Sequence, residues 1–316
     1  MKTTVTETKS SFSLGLTGRL VGRLAWLGAA ILICSGASAQ NMFVSGKDAR
    51  GGEIFKFSWD GKQSVFASDF YKPRDVAVDG ANNLFVVDYM IVAGDLRGYA
   101  AIFKITPNGA LTIFASGISY ASSLAVDKAG DLFVADYDEG VIYEYKPTGE
   151  RGTFASGLYH PVGVAFDSAG NLFVADNSIG NLYQGSIYKY SPNGKRVTFA
   201  MLELGDRPAA LALDNIGNLY LADLGGKIYR YDQSGVLRPH ARTVFGSVPN
   251  SAQSLAFDSA GNLLVVDGGA MNNTDSVIPS AVYKFTQQGV QSVFASGQEL
   301  GESFVCLAFQ PVACCQ

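Results

Sequence analysis

The chain has 316 residues, of which 47% are apolar, and its formal net charge is −4. This apolar fraction excludes an intrinsically disordered chain. The negative charge argues against a nucleic-acid partner, because phosphates require a basic face. The 36 glycines are typical of a sheet protein with many tight turns.

The first 39 residues have the pattern of a secretory signal. Basic residues precede an apolar run over residues 24–34, and Ala37 and Ala39 then form a small-residue cleavage site. The run is too short to span a bilayer comfortably and no other stretch approaches the required length, so no membrane span is expected. We expect cleavage of residues 1–39, a secreted or periplasmic protein, and a single domain over residues 40–316.

Beyond the signal, one repeat recurs through the chain. Its clearest copy is VGVAFDSAGNLFVADN over residues 162–177, and the Asp of its first half recurs at intervals of 40 to 48 residues. These aspartates are Asp79, Asp127, Asp167, Asp214 and Asp258. Such a period, with several short strands in each unit, predicts an all-β fold of the β-propeller type.

Each repeat contains four predicted strands. In the clearest copy they are VAFD, LFVAD, IYKYS and VTFA, and the turn SPNG joins the last two. The second strand is almost continuously apolar, which is typical of a strand covered on both faces. The glycine of the turn occupies a position suited to a left-handed residue. Each repeat is therefore predicted to form a four-stranded antiparallel blade.

The two ends of the chain predict a sixth blade. A first-strand sequence occurs at residues 307–309 near the C-terminus, and strand sequences at residues 42–44, 53–57 and 64–68 lack a first strand. We expect these four segments to pair and close the ring, which removes exposed sheet edges. Cys306 beside the closing strand either forms a disulfide with Cys314 or Cys315 or stays reduced.

Short segments of the repeat are similar to those of known propeller families. The chain resembles NHL-repeat propellers, and the wider superfamily of gluconolactonases and streptogramin lyases, in the motifs GNLFVAD, IYKY and PNG. The resemblance extends over residues 41–312. For the gluconolactonase-like enzymes, the resemblance implies a divalent metal at the channel mouth, held by Glu, Asn and Asp in EGP, PNG and PDG words. Here Val162 replaces the Asn, Ala209 replaces the Asp, and no EGP word occurs, so this metal site is predicted to be absent. The His-containing metal centre of the lyases is not predicted either, because His160 and His240 fall in different parts of their repeats.

The residues that open the first strands are predicted to ring the channel mouth. In repeat order they are Arg74, Ser122, Val162, Ala209, Gln253 and Val305. The residues predicted to surround the same mouth are Asp75, Tyr89, Tyr120, Tyr137, His160 and Arg207. A concavity that is part polar and part apolar can bind a small ligand. The alternative is a hydrated channel in which Arg74 pairs with a neighbouring carboxylate.

Other aspartates are interpreted as structural. Those that end the second strands are predicted to cap backbone amides of the following loop, and they are Asp88, Asp136, Asp176, Asp223 and Asp267. The aspartates of the first turns are predicted to hold those turns. No cofactor is expected, with Ca²⁺ as the alternative at two oxygen-rich stretches, residues 136–140 and 267–275, which are interpreted first as solvated loops.

The loops between second and third strands vary in length between repeats, whereas the turns after the first and third strands are nearly uniform. Function is therefore expected on the variable-loop face. The favoured hypothesis is an exported, non-catalytic, monomeric propeller that binds a small molecule, a glycan or a protein there. The alternative is a divalent-metal-dependent lactonase or esterase with a rearranged site, in which Asp75 or His160 is the general base.

Overall fold

A computed structural model describes residues 40–48, 51–58, 62–90, 99–177, 185–232, 242–271, 277–278, 280–296 and 303–310. The chain divides into two units, Met1–Ser35 and Gly36–Gln316, and every described residue lies in the second unit. Within this described part, no helix is long and apolar enough to cross a membrane.

The described residues of the second unit form six four-stranded antiparallel sheets and one two-stranded ribbon. We number the sheets as blades I to VI. Blade I contains β4 (Pro73–Val78), β5 (Leu84–Met90), β6 (Tyr99–Ile105) and β7 (Leu111–Ile118). Blade II contains β8 (Ala121–Val126), β9 (Leu132–Asp136), β10 (Val141–Tyr145) and β11 (Arg151–Ala155). Blade III contains β12 (Pro161–Phe166), β13 (Leu172–Asp176), β14 (Ser186–Tyr190) and β15 (Arg196–Met201).

The remaining blades follow the same order. Blade IV contains β16 (Pro208–Leu213), β17 (Leu219–Asp223), β18 (Lys227–Tyr231) and β19 (Arg242–Ser247). Blade V contains β20 (Ala252–Phe257), β21 (Leu263–Asp267), β24 (Ala281–Phe285) and β25 (Gln291–Ser296), and the ribbon is β22 (Ala270–Met271) with β23 (Val277–Ile278). Blade VI contains β26 (Ser303–Phe309), β1 (Met42–Asp48), β2 (Gly51–Phe57) and β3 (Gln63–Phe70). The predicted six-bladed propeller is confirmed.

The repeat explains the local structure. The second strands β9, β13, β17 and β21 are buried at every residue, as their continuous apolar sequence predicts. In the turn that joins the first and second strands of blade III, Asp167 Oδ1 accepts hydrogen bonds from the N–H groups of Ala169 (3.0 Å) and Asn171 (2.8 Å), and Gly170 has a φ of 81°. The other four repeat aspartates accept the same pair of bonds. Their predicted turn role is confirmed.

The closing strand joins the two ends of the second unit. β26 pairs antiparallel with β1, and Met42 lies opposite Phe309. The Gln310 N–H donates to the Asn41 carbonyl at 2.9 Å. The strand is longer than the three residues predicted, because backbone pairing continues beyond the apolar word. Cys306 is a free, buried thiol, as the reduced alternative predicts, whereas Cys314 and Cys315 lie outside the described residues.

Six hydrophobic clusters hold neighbouring blades together, one at each junction of the ring. The junctions with blade VI involve Leu307 of the closing strand against Val266 of blade V, and Phe43 against Val76 of blade I. Each first strand also contacts the first strands of both neighbouring blades. The first strands therefore surround the central channel, and their initial residues meet at one mouth.

Candidate functional site

A cavity of about 440 Å³ lies at this mouth. Its lining includes five of the six residues predicted to ring the channel, namely Arg74, Ser122, Val162, Ala209 and Gln253. The sixth, Val305, lies in β26, but its side chain is outside the described part of the structure. Asp75, Tyr120 and Tyr137 also line the cavity. The repeat register thus brings the predicted ring together.

Arg74 is held on the polar side of the cavity by two tyrosines. Its Nη1 donates a hydrogen bond to the Tyr120 hydroxyl. Its guanidinium carbon lies 5.0 Å from the centre of the Tyr120 ring and 5.7 Å from that of Tyr89, a cation–π geometry. Among the described residues, no carboxylate is within ion-pair distance of Arg74. The alternative in which a neighbouring carboxylate neutralises Arg74 is not supported by these residues.

The same tyrosines belong to an arc of rings along the rim, which we call the aromatic arc (Tyr89, Tyr120, Tyr137 and His160). Successive ring centres are 5.1, 5.3 and 4.1 Å apart, and the last pair is stacked with an interplanar angle of 5°. His160 Nδ1 lies 3.0 Å from the Tyr137 carbonyl oxygen. Because a carbonyl only accepts, Nδ1 carries the hydrogen. The arc extends over blades I to III. Its four residues were predicted to surround the mouth, but their ring contacts were not, since these contacts join different repeats.

Beneath the mouth, the second residue position of the first strands forms a tier whose bonds between blades were not predicted. We call it the inner belt (Asp75, Ser123, Gly163, Ala210, Ser254 and Cys306). The belt links first strands of neighbouring blades. Asp75 Oδ2 accepts from Leu124 N (2.6 Å), Ser123 Oγ from Val164 N (3.3 Å) and Ser254 Oγ from Leu307 N (3.2 Å). In each case a side chain of one blade accepts a backbone N–H of the next.

Gly163 shows how closely the first strands approach at this level. A Cβ at this position would lie 3.0 Å from Ala210 Cα and 3.2 Å from Leu211 N, so a larger residue would separate blades III and IV. The sequence does contain a sign of this close approach, because the residue after each ring position is small or short. The pattern can be interpreted only when the contacts between repeats are known.

Asp75 and Cys306 meet within the inner belt. The Cys306 thiol donates to Asp75 Oδ1, which also accepts from Val76 N at 2.9 Å, and Ser254 Oγ lies 3.2 Å from Cys306 Sγ. Burial raises the pKa of the Asp75 carboxyl, although its hydrogen bonds oppose this shift. Burial and the neighbouring Asp75 raise the pKa of the Cys306 thiol well above its usual range. Cys306 is thus a protonated structural thiol, and Asp75 is a belt residue.

The aspartates that end the second strands lie outside the cavity lining. Asp176 Oδ1 accepts from Tyr159 N (3.0 Å) and His160 N (2.8 Å), the two residues before β12. Asp88 holds Tyr71 and Lys72 in the same way. The capping of backbone amides is confirmed, but the main partners are not the predicted ones in the following loop. The recurring partners precede the first strand, and Asp136, Asp223 and Asp267 also accept from the loop that follows them.

The remaining predicted positions contribute less to the cavity. Arg207 is exposed, and its Nη2 donates to the Leu224 carbonyl at 3.1 Å. His240 lies outside the described residues, as does the segment 272–276 of the second oxygen-rich stretch. In the first stretch, Asp136 is engaged with backbone amides.

The donor set at the mouth does not fit a divalent metal. The ring positions supply a guanidinium, a hydroxyl, an amide and two apolar side chains, whereas hard cations require several carboxylate or carbonyl oxygens. Among the described lining residues the one carboxylate is that of Asp75, and it already accepts from Val76, Leu124 and Cys306. In the part of the chain that is described, no cluster of three or more His, Cys, Asp or Glu side chains suits a metal ion.

A second cavity of about 720 Å³ lies at the opposite face, among the turns that follow the first strands. Its charged side chains among the described residues are already used by the fold. Asp127 and Asp167 hold their own turns, and Lys128 Nζ donates to the Ser168 carbonyl at 2.5 Å. The mouth cavity, with its partly unpaired polar groups, is the better candidate for a binding site.

Comparison with known proteins defines the fold. No protein-family model and no curated protein sequence matches the chain. The propeller in a nidogen–laminin complex superposes with a TM-score of 0.67 at 17% identity, covering 87% of this chain and 100% of that one. A Bacteroides caccae protein of unknown function gives 0.61 at 14% identity, covering 87% and 100%. A Xanthomonas campestris gluconolactonase gives 0.53 at 20% identity, covering 67% and 75%.

The common feature is the propeller. At these identities the comparisons show the fold alone, which binding proteins and enzymes both use. The residues at the channel mouth of this propeller are therefore the evidence that bears on its function.

Proposed function

We propose that this protein is an exported, non-catalytic binding module that holds a small molecule in the mouth cavity. The observation that carries the proposal is the division of the cavity into a polar side with Arg74 and an apolar side with Val162 and Ala209. Ligand pockets combine apolar walls with a few placed polar groups, and their usual volumes of about 300–1,000 Å³ include this one.

Three features favour binding over catalysis. Asp75, a candidate general base, is committed to inner-belt hydrogen bonds. Cys306 is protonated and buried, which opposes a nucleophilic role. His160 Nδ1 is bonded to a backbone carbonyl rather than to a carboxylate that would orient it as a base.

The test is to fill the cavity. Ala209→Trp places a large ring in the mouth cavity, and we expect it to abolish small-molecule binding while the melting temperature stays within a few degrees of wild type. Ile216→Trp is the matched control, because Ile216 is an exposed turn residue on the opposite face. Binding by ligand-detected NMR should be lost in the first variant and kept in the second. Binding that survives Ala209→Trp would place the ligand elsewhere.

Hydrolysis would contradict the non-catalytic part of the proposal. Wild type and His160→Gln are assayed against a panel of lactones and esters, with and without added Ca²⁺ or Zn²⁺. We expect no turnover above the buffer rate. Metal-dependent turnover that falls in His160→Gln would instead support the lactonase hypothesis.

A further inference from the structure

The chemistry of the mouth cavity points to the class of ligand, and this step rests on the proposed function. Among the described residues that line it, only Arg74 and Asp75 carry a charged group. Asp75 Oδ1 accepts from Val76 N and the Cys306 thiol, and Oδ2 accepts from Leu124 N. The carboxylate is therefore satisfied by the fold and forms no ion pair with Arg74. The described residues thus leave the charge of the guanidinium for a ligand.

Arg74 is also prepared to bind an anion in a defined orientation. A guanidinium has five N–H donors. Among the described residues, the Tyr120 hydroxyl is the only hydrogen-bond acceptor of the Arg74 guanidinium. The rings of Tyr89 and Tyr120 restrict the side chain, so less conformational entropy is lost when it binds. The free edge of a planar guanidinium matches a carboxylate through two parallel hydrogen bonds.

Two amides provide further polar anchors. Gln253 and Asn177 line the cavity, and their side chains have no hydrogen-bond partner among the described residues. The Gln253 amide packs against Gly268, where a Cβ would collide with it. The Ser122 hydroxyl donates to the Pro161 carbonyl at 2.6 Å, so it offers the cavity an acceptor. These groups suit a polar substituent on the ligand in addition to its charge.

The opposite side of the cavity is apolar. It is built by blades III and IV, and its residues are Val162, Pro208, Ala209, Ala210 and Leu224. In ring order, Arg74 of blade I and Gln253 of blade V flank blade VI, so the polar groups and the apolar wall face each other across the channel. The ligand that fits has a charged end and an apolar body.

We propose that the mouth cavity binds a small organic monocarboxylate, with its carboxylate paired to Arg74 and its apolar body against Val162, Pro208 and Ala209. One cation matches one negative charge. A phosphate ester would carry nearly two charges and require more donors than a single guanidinium, and the described lining residues include no lysine or second arginine. A carboxylate is therefore favoured over a phosphate.

The experiment is a screen of matched pairs. Aliphatic and arylalkanoic acids of three to ten carbons are compared with their primary amides by ligand-detected NMR and calorimetry, with phenyl phosphate and inorganic phosphate as additional probes. For binding acids, we expect an affinity about 10- to 100-fold above that of the matching amide, because charge-assisted hydrogen bonds are lost in the amide. Arg74→Met should remove this preference and leave weak, similar binding of both. Phosphates should bind no better than the amides.

The matched control is Arg151→Met. Arg151 also lies over a tyrosine, 4.8 Å from the centre of the Tyr143 ring, but it is exposed and away from the mouth cavity. The acid preference should persist in this variant. Melting temperatures of both arginine variants verify that the ring is intact.

The outcomes separate the two proposals. Acids and amides that bind equally, with both lost in Ala209→Trp, would overturn the carboxylate inference and leave the binding function standing. Tighter binding of phenyl phosphate than of any acid would also overturn the carboxylate inference. No binding by any member of the panel would overturn both proposals.

Discussion

Asp75 and Cys306 join blade I to the closing strand through one buried contact in the inner belt. The pair shows why a residue at the centre of a propeller need not be catalytic. Its carboxylate and thiol satisfy each other and nearby backbone amides, which removes the cost of leaving buried polar groups unpaired. The proposed binding function instead uses the tier above, where Arg74 and Gln253 have hydrogen-bonding capacity that the described residues leave unused.

The carboxyl of Asp75 gives a pH-dependent prediction at the residue scale. Burial raises its pKa above the value near 3.8 of the unfolded chain. The folded protein therefore binds this proton more tightly, and the stabilising contribution is full below pH 3.8 and lost as pH rises through the raised pKa. Among the described residues, the titratable group in contact with Asp75 is the Cys306 thiol, which stays protonated, and Arg74 is its charged neighbour in the cavity lining.

The measurement compares wild type with Asp75→Asn by urea unfolding between pH 4 and 8. The difference in unfolding free energy, wild type minus variant, should fall as pH rises. Burial raises the pKa values of Asp167 and Asp258, but their hydrogen bonds outweigh it and lower them. Their contribution to stability therefore changes with pH in the opposite direction, and it cancels in the difference because both proteins contain them. A difference that rises with pH would contradict the raised pKa of Asp75.

At the scale of elements, the closing strand β26 is the segment on which the ring depends. It supplies the first strand of blade VI, pairs with β1 from Met42 to Lys47, and contributes Leu307 and Cys306 to two inter-blade clusters. Without it, β1 would become an exposed edge and blades I and V would lose their common neighbour.

Two truncations test this dependence. One ends at residue 302 and removes β26, and the other ends at Gln310 and keeps it. We expect the shorter chain to melt at least about 10 °C lower, because several kcal/mol of packing is lost and each kcal/mol corresponds to about 2–4 °C in a domain of this size. Equal melting temperatures of the two truncated chains in a calorimeter would refute the closure by β26.

Sequence and structure agree best where the information is local. The strands and turns depend on features that act within a few residues, namely the alternation of apolar residues, the Asp-to-amide bonds and the glycines of positive φ. The turns, the blades and the number of blades were therefore predictable. The inner belt was not, because its bonds join residues 41 to 53 positions apart, such as Ser123 with Val164 and Ser254 with Leu307. The role of the second-strand aspartates was predictable in kind, but their amide partners 16 and 17 residues upstream were not.

At the scale of the whole molecule, six equivalent blades carry an unequal centre. The inter-blade clusters and turns repeat around the ring, and this repetition makes a rigid frame. The mouth cavity breaks the symmetry, since the first strands of blades I, II and V present polar groups while those of blades III and IV present an apolar wall. Under the proposed function, this asymmetry selects an amphipathic ligand, and it sets the mouth apart from the uniform turns of the opposite face.

The most direct test of this account is a crystal structure of the protein with the tightest-binding carboxylic acid from the matched screen. The account predicts electron density for the ligand in the mouth cavity, with both carboxylate oxygens within hydrogen-bond distance of the Arg74 guanidinium and the apolar body against Val162 and Ala209. A ligand bound instead in the cavity beside Lys128 on the opposite face, or one that leaves Arg74 without contact, would contradict it.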